Sequence, residues 1–286
     1  MFNLITLSSF NLLIAGDLHG LWSSEDLDLI IRINPDAVLF VGDLGEGDIA
    51  VVKEIKKIPI PVSVILGNHD HGHDGTGLLL KTQLNLLGDL DCSWSLKRFE
   101  NPSFSLIGAR PCSSGGGFYL SKEVHAVFGP ITLEESVRRI VAAAKEVPTD
   151  KPFVILAHSG PSGLGSDFAS PCGRDWKAPA LDWGDKDLSL AIDKIRKIKV
   201  PDLVVFGHMH HVLRRGQGKR VTFTKDIWGT SYLNAACVPR KGKDVLGQSL
   251  CHFSWVEFQN NSLKRVSHRW YRNDATLAYE EKLLDQ

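Results

Sequence analysis

The chain has 286 residues, of which 43% are apolar, and its 33 Lys and Arg balance 33 Asp and Glu. That length suits a single domain over 1–286 with a sizeable core, and a net charge of zero supplies no basic field to gather nucleic acid or anionic lipid. The cysteines Cys92, Cys112, Cys172, Cys237 and Cys251 are scattered without CxxC spacing, which argues against a disulfide framework or thiolate zinc site and for a reducing, cytoplasmic compartment.

The chain opens on MFNLITLSSFNLLIAG, apolar but with no Lys or Arg ahead of the apolar run. Cleavage of a leader there would remove or expose Asp17 and His19, and no stretch approaches the ~20 apolar residues of a membrane span. A soluble protein is expected. Leu12–Ala15, Ala37–Val41, Val62–Leu66, Phe153–Ala157 and Leu203–Phe206 are short apolar runs that read as strands buried on both faces. Helical patterns lie between them. Leu27, Ile30 and Ile31 follow a Ser24 cap, Val51, Val52 and Ile55 follow Asp48, and Leu80, Leu84 and Leu87 precede Gly88. Thr132 with Glu135 makes a capping box before Val137 and Ile140, and Asp187 precedes Leu188 and Ile192. The segment from Asp89 to Leu120 reads as antiparallel strands around Asn101-Pro102, and the chain after Val212 reads as β. Two packed sheets flanked by helices are predicted. Residues 159–184 form a long glycine-rich insert with little periodicity, which marks a functional or a mobile loop.

Each apolar strand ends in a residue able to bind metal: LLIAGDLH, AVLFVGDL, VSVILGNHD, FVILAHSG and LVVFGHMH. Ligands of open α/β sheets bind beyond the carboxyl ends of strands. Asp17 and His19 are two residues apart, as are His208 and His210, so in an extended segment each pair faces one way and can chelate an ion. Taken singly, GDLH is more simply a turn, His158 a strand-end histidine and GHMH a surface loop, while GNHD is evenly balanced. Asp17, His19, Asp43, Asn68, His158, His208 and His210 together, all at strand ends, exceed the needs of one four-coordinate ion. Imidazole and carboxylate donors without thiolate suit two adjacent divalent ions, Mn first, with Fe, Zn or Mg as alternatives.

In this order, DxH, GD, GNHD, a later lone His and GHxH resemble the signature of the calcineurin-like metallophosphoesterase superfamily, over residues 16–211. The whole chain, AHSGPSGLG and CGRDW included, is also similar to a branch of that family found in cyanobacteria and plant plastids. The resemblance implies a four-layer αββα sandwich with two mixed sheets, and a phosphate-ester substrate. It places one ion on Asp17, His19 and His210 and the second on Asn68, His158 and His208, with Asp43 bridging. His69 becomes the general acid, Asp70 the group that orients or polarises it, and Asn68 a member of the catalytic set as well as a ligand. A hydroxide generated between the ions would attack phosphorus in line while His69 protonates the departing oxygen.

The GD motif departs from the family's GDxxD, reading GDLGEG with Glu46 in the final place, and GNHD stands where protein Ser/Thr phosphatases carry GNHE. These departures favour a small-molecule or nucleotide ester, either mono- or diester, over phosphoprotein. The competing readings are a protein phosphatase and a non-catalytic scaffold that keeps the fold. Arg174 in CGRDW and Arg110 in GARPCSSGGG are candidate substrate-binding groups, each weighed against a structural role. Trp176 and Trp183 are expected to pack the insert on the core, with stacking on a substrate ring as the alternative. His71 and His73 read as solvated rim residues, and His211, His252 and His268 as structural or exposed. Arg214, Arg215, Lys219 and Arg220 read as a solvated hairpin tip.

Overall fold

The computed structural model describes residues 9–214 and 218–286; the first eight residues of the apolar N-terminus, and Arg215 and Gly216 of the basic run, lie outside the described residues. The apolar runs are strands. In the first sheet, β1 (Ser9–Ala15), β2 (Ala37–Phe40) and β3 (Val62–Val64) run parallel, with Leu12 opposite Ala37 and Leu39 opposite Ser63. On the other side of β1 the sheet continues antiparallel through β11 (Ser249–Gln259), β12 (Ser262–Arg272) and β13 (Leu277–Asp285). A short strand, β10 (Lys241–Lys243), pairs with the start of β11.

The second sheet has the order β4-β5-β6-β7-β9-β8. Its parallel centre is β5 (Phe104–Gly108), β6 (Phe153–Leu156), β7 (Leu203–Phe206) and β9 (Ser231–Asn234). The edges are antiparallel, β4 (Leu96–Phe99) on β5 and β8 (Phe223–Lys225) on β9. Both sheets are therefore mixed.

Three apolar layers hold the sandwich together. Between the sheets, Leu12, Ile14 and Leu39 meet Val154, Leu156 and Val205. Outside the first sheet lie α1 (Ser24–Ile33), α2 (Ile49–Ile55), α3 (Leu78–Leu87) and α4 (Lys122–Phe128), which bury Leu29, Val52, Leu80 and Val124 on it. Outside the second, α5 (Leu133–Lys145) and α6 (Lys186–Ile195) bury Ile140, Ala144, Ala191 and Ile195. Helix α5 shows how sequence sets this. The Thr132 hydroxyl accepts the Glu135 N–H at its start, a cap worth about 1 kcal/mol. Val137, Ile140 and Ala144 then recur on one face, and truncating the fully buried Ile140 to Ala should cost roughly 2–5 kcal/mol. This is the predicted four-layer αββα sandwich.

Some predicted caps move by one or two residues. Ser23 caps α1 in place of Ser24, and Asp185 precedes α6 in place of Asp187. Asp187 is instead fully buried and receives the Arg110 guanidinium.

Candidate metal centre and active site

The seven predicted ligands come together where β1, β2, β3, β6 and β7 end. Asp17, His19 and His210 form one set whose donor atoms lie within 4.8 Å of one another, and Asp43, His158 and His208 form another. His19 Nε2 is 3.2 Å from His210 Nε2, and His210 Nε2 is 3.5 Å from Asp17 Oδ2. Across the centre, His158 Nε2 is 2.9 Å from Asn68 Oδ1. Asp43 lies between the sets, with Oδ1 3.4 Å from His158 Nε2 and Oδ2 3.9 Å from His19 Nε2.

The backbone reaches this arrangement by a route the sequence pattern did not show. Asp17, His19, Asp43 and His208 all have left-handed backbone, with φ of 37°, 45°, 50° and 66°. The ligand pairs are thus turned, not extended. Such residues cost of order 1–3 kcal/mol each when the rest of the fold holds them there. The holding bonds are visible: His19 N–H donates to Asp43 O at 2.8 Å, and His208 N–H donates to the Asp17 carboxylate at 3.0 Å. Close approach also demands glycine before the ligands. A Cβ on Gly207 would run into the Asp17 carboxylate, and one on Gly67 into that of Asp43.

Two rings are pre-set for coordination. The His158 Nδ1 hydrogen donates to Val41 O at 2.6 Å, and His19 Nδ1 meets Glu46 Oε1 at 2.6 Å. Each leaves Nε2 with its lone pair toward the centre, which is how buried metal-binding histidines are aimed.

Electrostatics match a site built for cations. Burial raises the Asp17 carboxyl, but a hydrogen bond with His210 and the nearby histidines outweigh it and hold the group at about 2. Burial and the Asp17 charge push Asp43 up to about 7. Burial and the neighbouring His158 push His208 down to about 3, so its ring is neutral. Among the described residues neither Asp17 nor Asp43 pairs with Lys or Arg. Two buried carboxylates ringed by imidazoles, with no Lys or Arg paired to either among the described residues, fit divalent metal.

His69 stands beside the centre with its side chain 43% exposed and its ring edge-on to His19 at 5.1 Å. Its Nδ1 meets Glu46 Oε2 at 2.6 Å. Asp70, expected to orient or polarise this ring, makes no hydrogen bond to it and acts on it only through its charge. The buried Asp70 carboxylate accepts N–H groups of Leu44 and Gly67, both at 2.8 Å, and so ties the β2 and β3 loops together. Backbone N–H groups outcompete the ring because they reach a fully enclosed carboxylate that the half-exposed imidazole does not. Glu46, noted in the sequence only as a departure from GDxxD, takes the place on the ring.

Arg110 and Arg174 are not brought to the centre. Arg110 is 2% exposed, donates to Asp185 and Asp187 at 2.8 and 3.0 Å, and also binds Tyr119 O. Arg174 lies over the Trp183 ring at 5.1 Å and donates to Pro179 O within the insert. Burying either guanidinium without a partner would be costly, so each is spent on the carboxylates or carbonyls that surround it. Arg220 also leaves its predicted place at a solvated tip. It is buried and donates to carbonyls of Phe168, Ser170, Gly173 and His210, clamping the insert to a ligand loop. His211, His252 and His268 are buried side by side between the sheets.

A family profile described as calcineurin-like phosphoesterase matches residues 10–212. The chain belongs to the calcineurin-like phosphoesterase family. No relative among curated proteins matches this family member. Solved structures share its fold at low identity. A dimetal phosphatase from Danio rerio superposes with a TM-score of 0.52 at 14% identity, covering 97% of this chain and 99% of that chain. A protein of Thermus thermophilus gives 0.52 at 11% identity over 87% of this chain and 97% of its own. Purple acid phosphatase from yellow lupin seeds gives 0.50 at 15% identity, covering 98% of this chain and 54% of the lupin chain.

Proposed function

We propose that this phosphoesterase-family chain hydrolyses a phosphate ester of a small molecule or nucleotide at a pair of divalent ions. The observation that carries the reading is the meeting of two ligand sets across Asp43, with His69 beside them. Asp17, His19 and His210 would hold one ion, Asn68, His158 and His208 the other, and Asp43 both. When bound, two such ions supply the Lewis acidity that yields hydroxide at neutral pH and offsets charge on the phosphoryl oxygens. Mn is the first choice for an oxygen- and imidazole-rich set, with Fe, Zn or Mg as alternatives.

The chain's own residues supply the remainder. His69 Nδ1 is engaged by Glu46, which leaves its other nitrogen to give a proton to the departing oxygen. Burial lowers the His69 pKa, but the charges of Asp43 and Glu46 and the Glu46 hydrogen bond outweigh it and raise the pKa, which favours the protonated donor. A cavity of about 410 Å³ next to His69, His208 and His210, closed on one side by the insert, suits a small ester better than a loop of folded phosphoprotein. No helix among the described residues is long and apolar enough to cross a membrane, and we place the protein in the cytoplasm.

The test is a screen of Mn-loaded protein against p-nitrophenyl phosphate, its bis ester, nucleotides, cyclic nucleotides and sugar phosphates. Metal-dependent hydrolysis of at least one supports the reading. Inertness toward all of them, with metal bound, would favour the scaffold.

A further inference from the structure

Two cavities, not one, meet at the candidate centre. The first, of about 410 Å³, runs from His208 and His210 to a wall made of Trp176, Trp183, Met209 and Val212. The second, of about 370 Å³, runs from Asn68 the other way, past His71, His73, Tyr119 and Lys122. His69 and Ser114 line both. Their linings differ in kind: the first sets two indoles beside Asp175, Arg214 and Arg220, and the second sets imidazoles and a phenol beside Lys122 and Glu123.

The indole wall is held in place. Trp183 Nε1 donates to Ser114 O at 2.9 Å, and the Arg174 guanidinium covers the ring at 5.1 Å. Gly116 packs against the same indole, where a Cβ would come within 2.7 Å of Cε2. Trp183 is therefore a fixed wall, with one ring face taken by the Arg174 guanidinium. Trp176 stands edge-to-face on it at 5.2 Å, half-buried, and is the indole left to stack on something else. On the opposite side, Tyr119 is 64% exposed and Lys122 is exposed, while Glu123 is already engaged by the Gly75 N–H and by His71.

A phosphomonoester has one organic substituent and could use only one of these cavities. A diester has two, which leave the phosphorus in different directions. Resting on the phosphoester reading above, the geometry points to a phosphodiester substrate, with a planar ring such as a nucleobase against Trp176 and a hydrophilic substituent toward Tyr119 and Lys122. In the reaction one P–O ester bond breaks and water forms the new P–O bond. The departing oxygen takes a proton, and a monoester and an alcohol result. Ligand pockets of this size usually combine an apolar wall with a few polar groups that fix orientation; the indoles serve as that wall in the first cavity and the Tyr119 ring in the second.

The experiment uses full-length Mn-loaded protein and three substrates with the same leaving group: 4-nitrophenyl phosphate, methyl 4-nitrophenyl phosphate and thymidine 5′-(4-nitrophenyl) phosphate. The thymidine diester should exceed both others in kcat/KM, by about tenfold or more over the methyl diester, the size of one base–indole stack. Trp176→Ala should collapse the thymidine-to-methyl ratio toward one through KM, and Trp176→Phe should keep most of it. A monoester preferred over both diesters overturns the diester assignment. A ratio that survives Trp176→Ala overturns the placement of the ring. If none of the three esters is turned over, the inference falls together with the phosphoester reading, and that outcome is distinct from the other two.

Discussion

Glu46 joins His19 to His69: one carboxylate oxygen lies 2.6 Å from His19 Nδ1 and the other 2.6 Å from His69 Nδ1. A single side chain thus aims a proposed metal ligand and the proposed proton donor. The Glu46 carboxyl is raised by burial but, on balance, is lowered by its hydrogen bonds with both rings, which keeps it charged between them. Glu46→Gln should reduce kcat about tenfold or more, through the loss of a charge-assisted bond to His69. It should also weaken metal retention by roughly 10–100-fold through His19. The check is kcat at saturating Mn together with metal content after gel filtration. Wild-type values for both would make Glu46 a surface partner only.

Asp43→Asn should empty both ion positions together. The two oxygens of Asp43 face different sets, one toward His158 and one toward His19, so neutralising the group removes charge from each. Elemental analysis is the readout. Retention of two ions at wild-type occupancy would remove Asp43 from the bridging role.

Arg110→Met and Arg174→Ala should separate structure from binding. Arg110 is enclosed with Asp185 and Asp187, and removing it strands buried carboxylates at a cost of about 3–5 kcal/mol. A melting temperature lower by several degrees is expected. Arg174→Ala loses only a stack on Trp183 and a bond to Pro179. It should lower the melting point by a few degrees at most and leave KM for monoesters near wild type. A tenfold rise in KM would return Arg174 to the substrate.

Much of this was legible in the sequence because the signals are local. Buried parallel strands read as unbroken apolar runs, and each candidate ligand sits within four residues of the end of such a run. The two packed sheets and the seven candidate positions follow from that pattern, whereas the αββα sandwich and the sharing of the positions between two ions came from the family resemblance. What was not legible depends on partners far away in the chain. Asp70 and Glu46 are both carboxylates near GNHD, and only the folded loops show which one reaches the His69 ring. Arg110 looked available for an anion until its partners, more than 70 residues on, were in view. Strand β13 reads LAYEEKLLD, and its pairing with β12 shifts register twice, so its period-2 alternation breaks and the strand is hidden. Helix α4 buries only Glu123 and Val124, so it shows no apolar stripe of the kind that marks α2, a helix of the same length.

His69→Ala should keep both ions and the fold, since the side chain is half exposed and its Nδ1 is taken by Glu46. It should lose the roughly 10²–10⁴-fold contribution of a general acid, and that loss should depend on the leaving group. Alkyl and ribosyl esters need the proton, whereas p-nitrophenolate departs without it. The expected result is a severe defect on alkyl esters and a mild one on p-nitrophenyl esters. Equal defects on both would make His69 a positioning group.

The central claim is that two ions held by this chain act together on a phosphate ester. The most direct test strips the protein with chelator, adds back Mn in fractions of an equivalent, and measures bound metal and ester hydrolysis on the same samples. Binding should saturate at two equivalents per chain, with turnover absent from metal-free protein and appearing as the second equivalent fills. Hydrolysis by the stripped protein, or full activity with a single equivalent bound, would contradict the account.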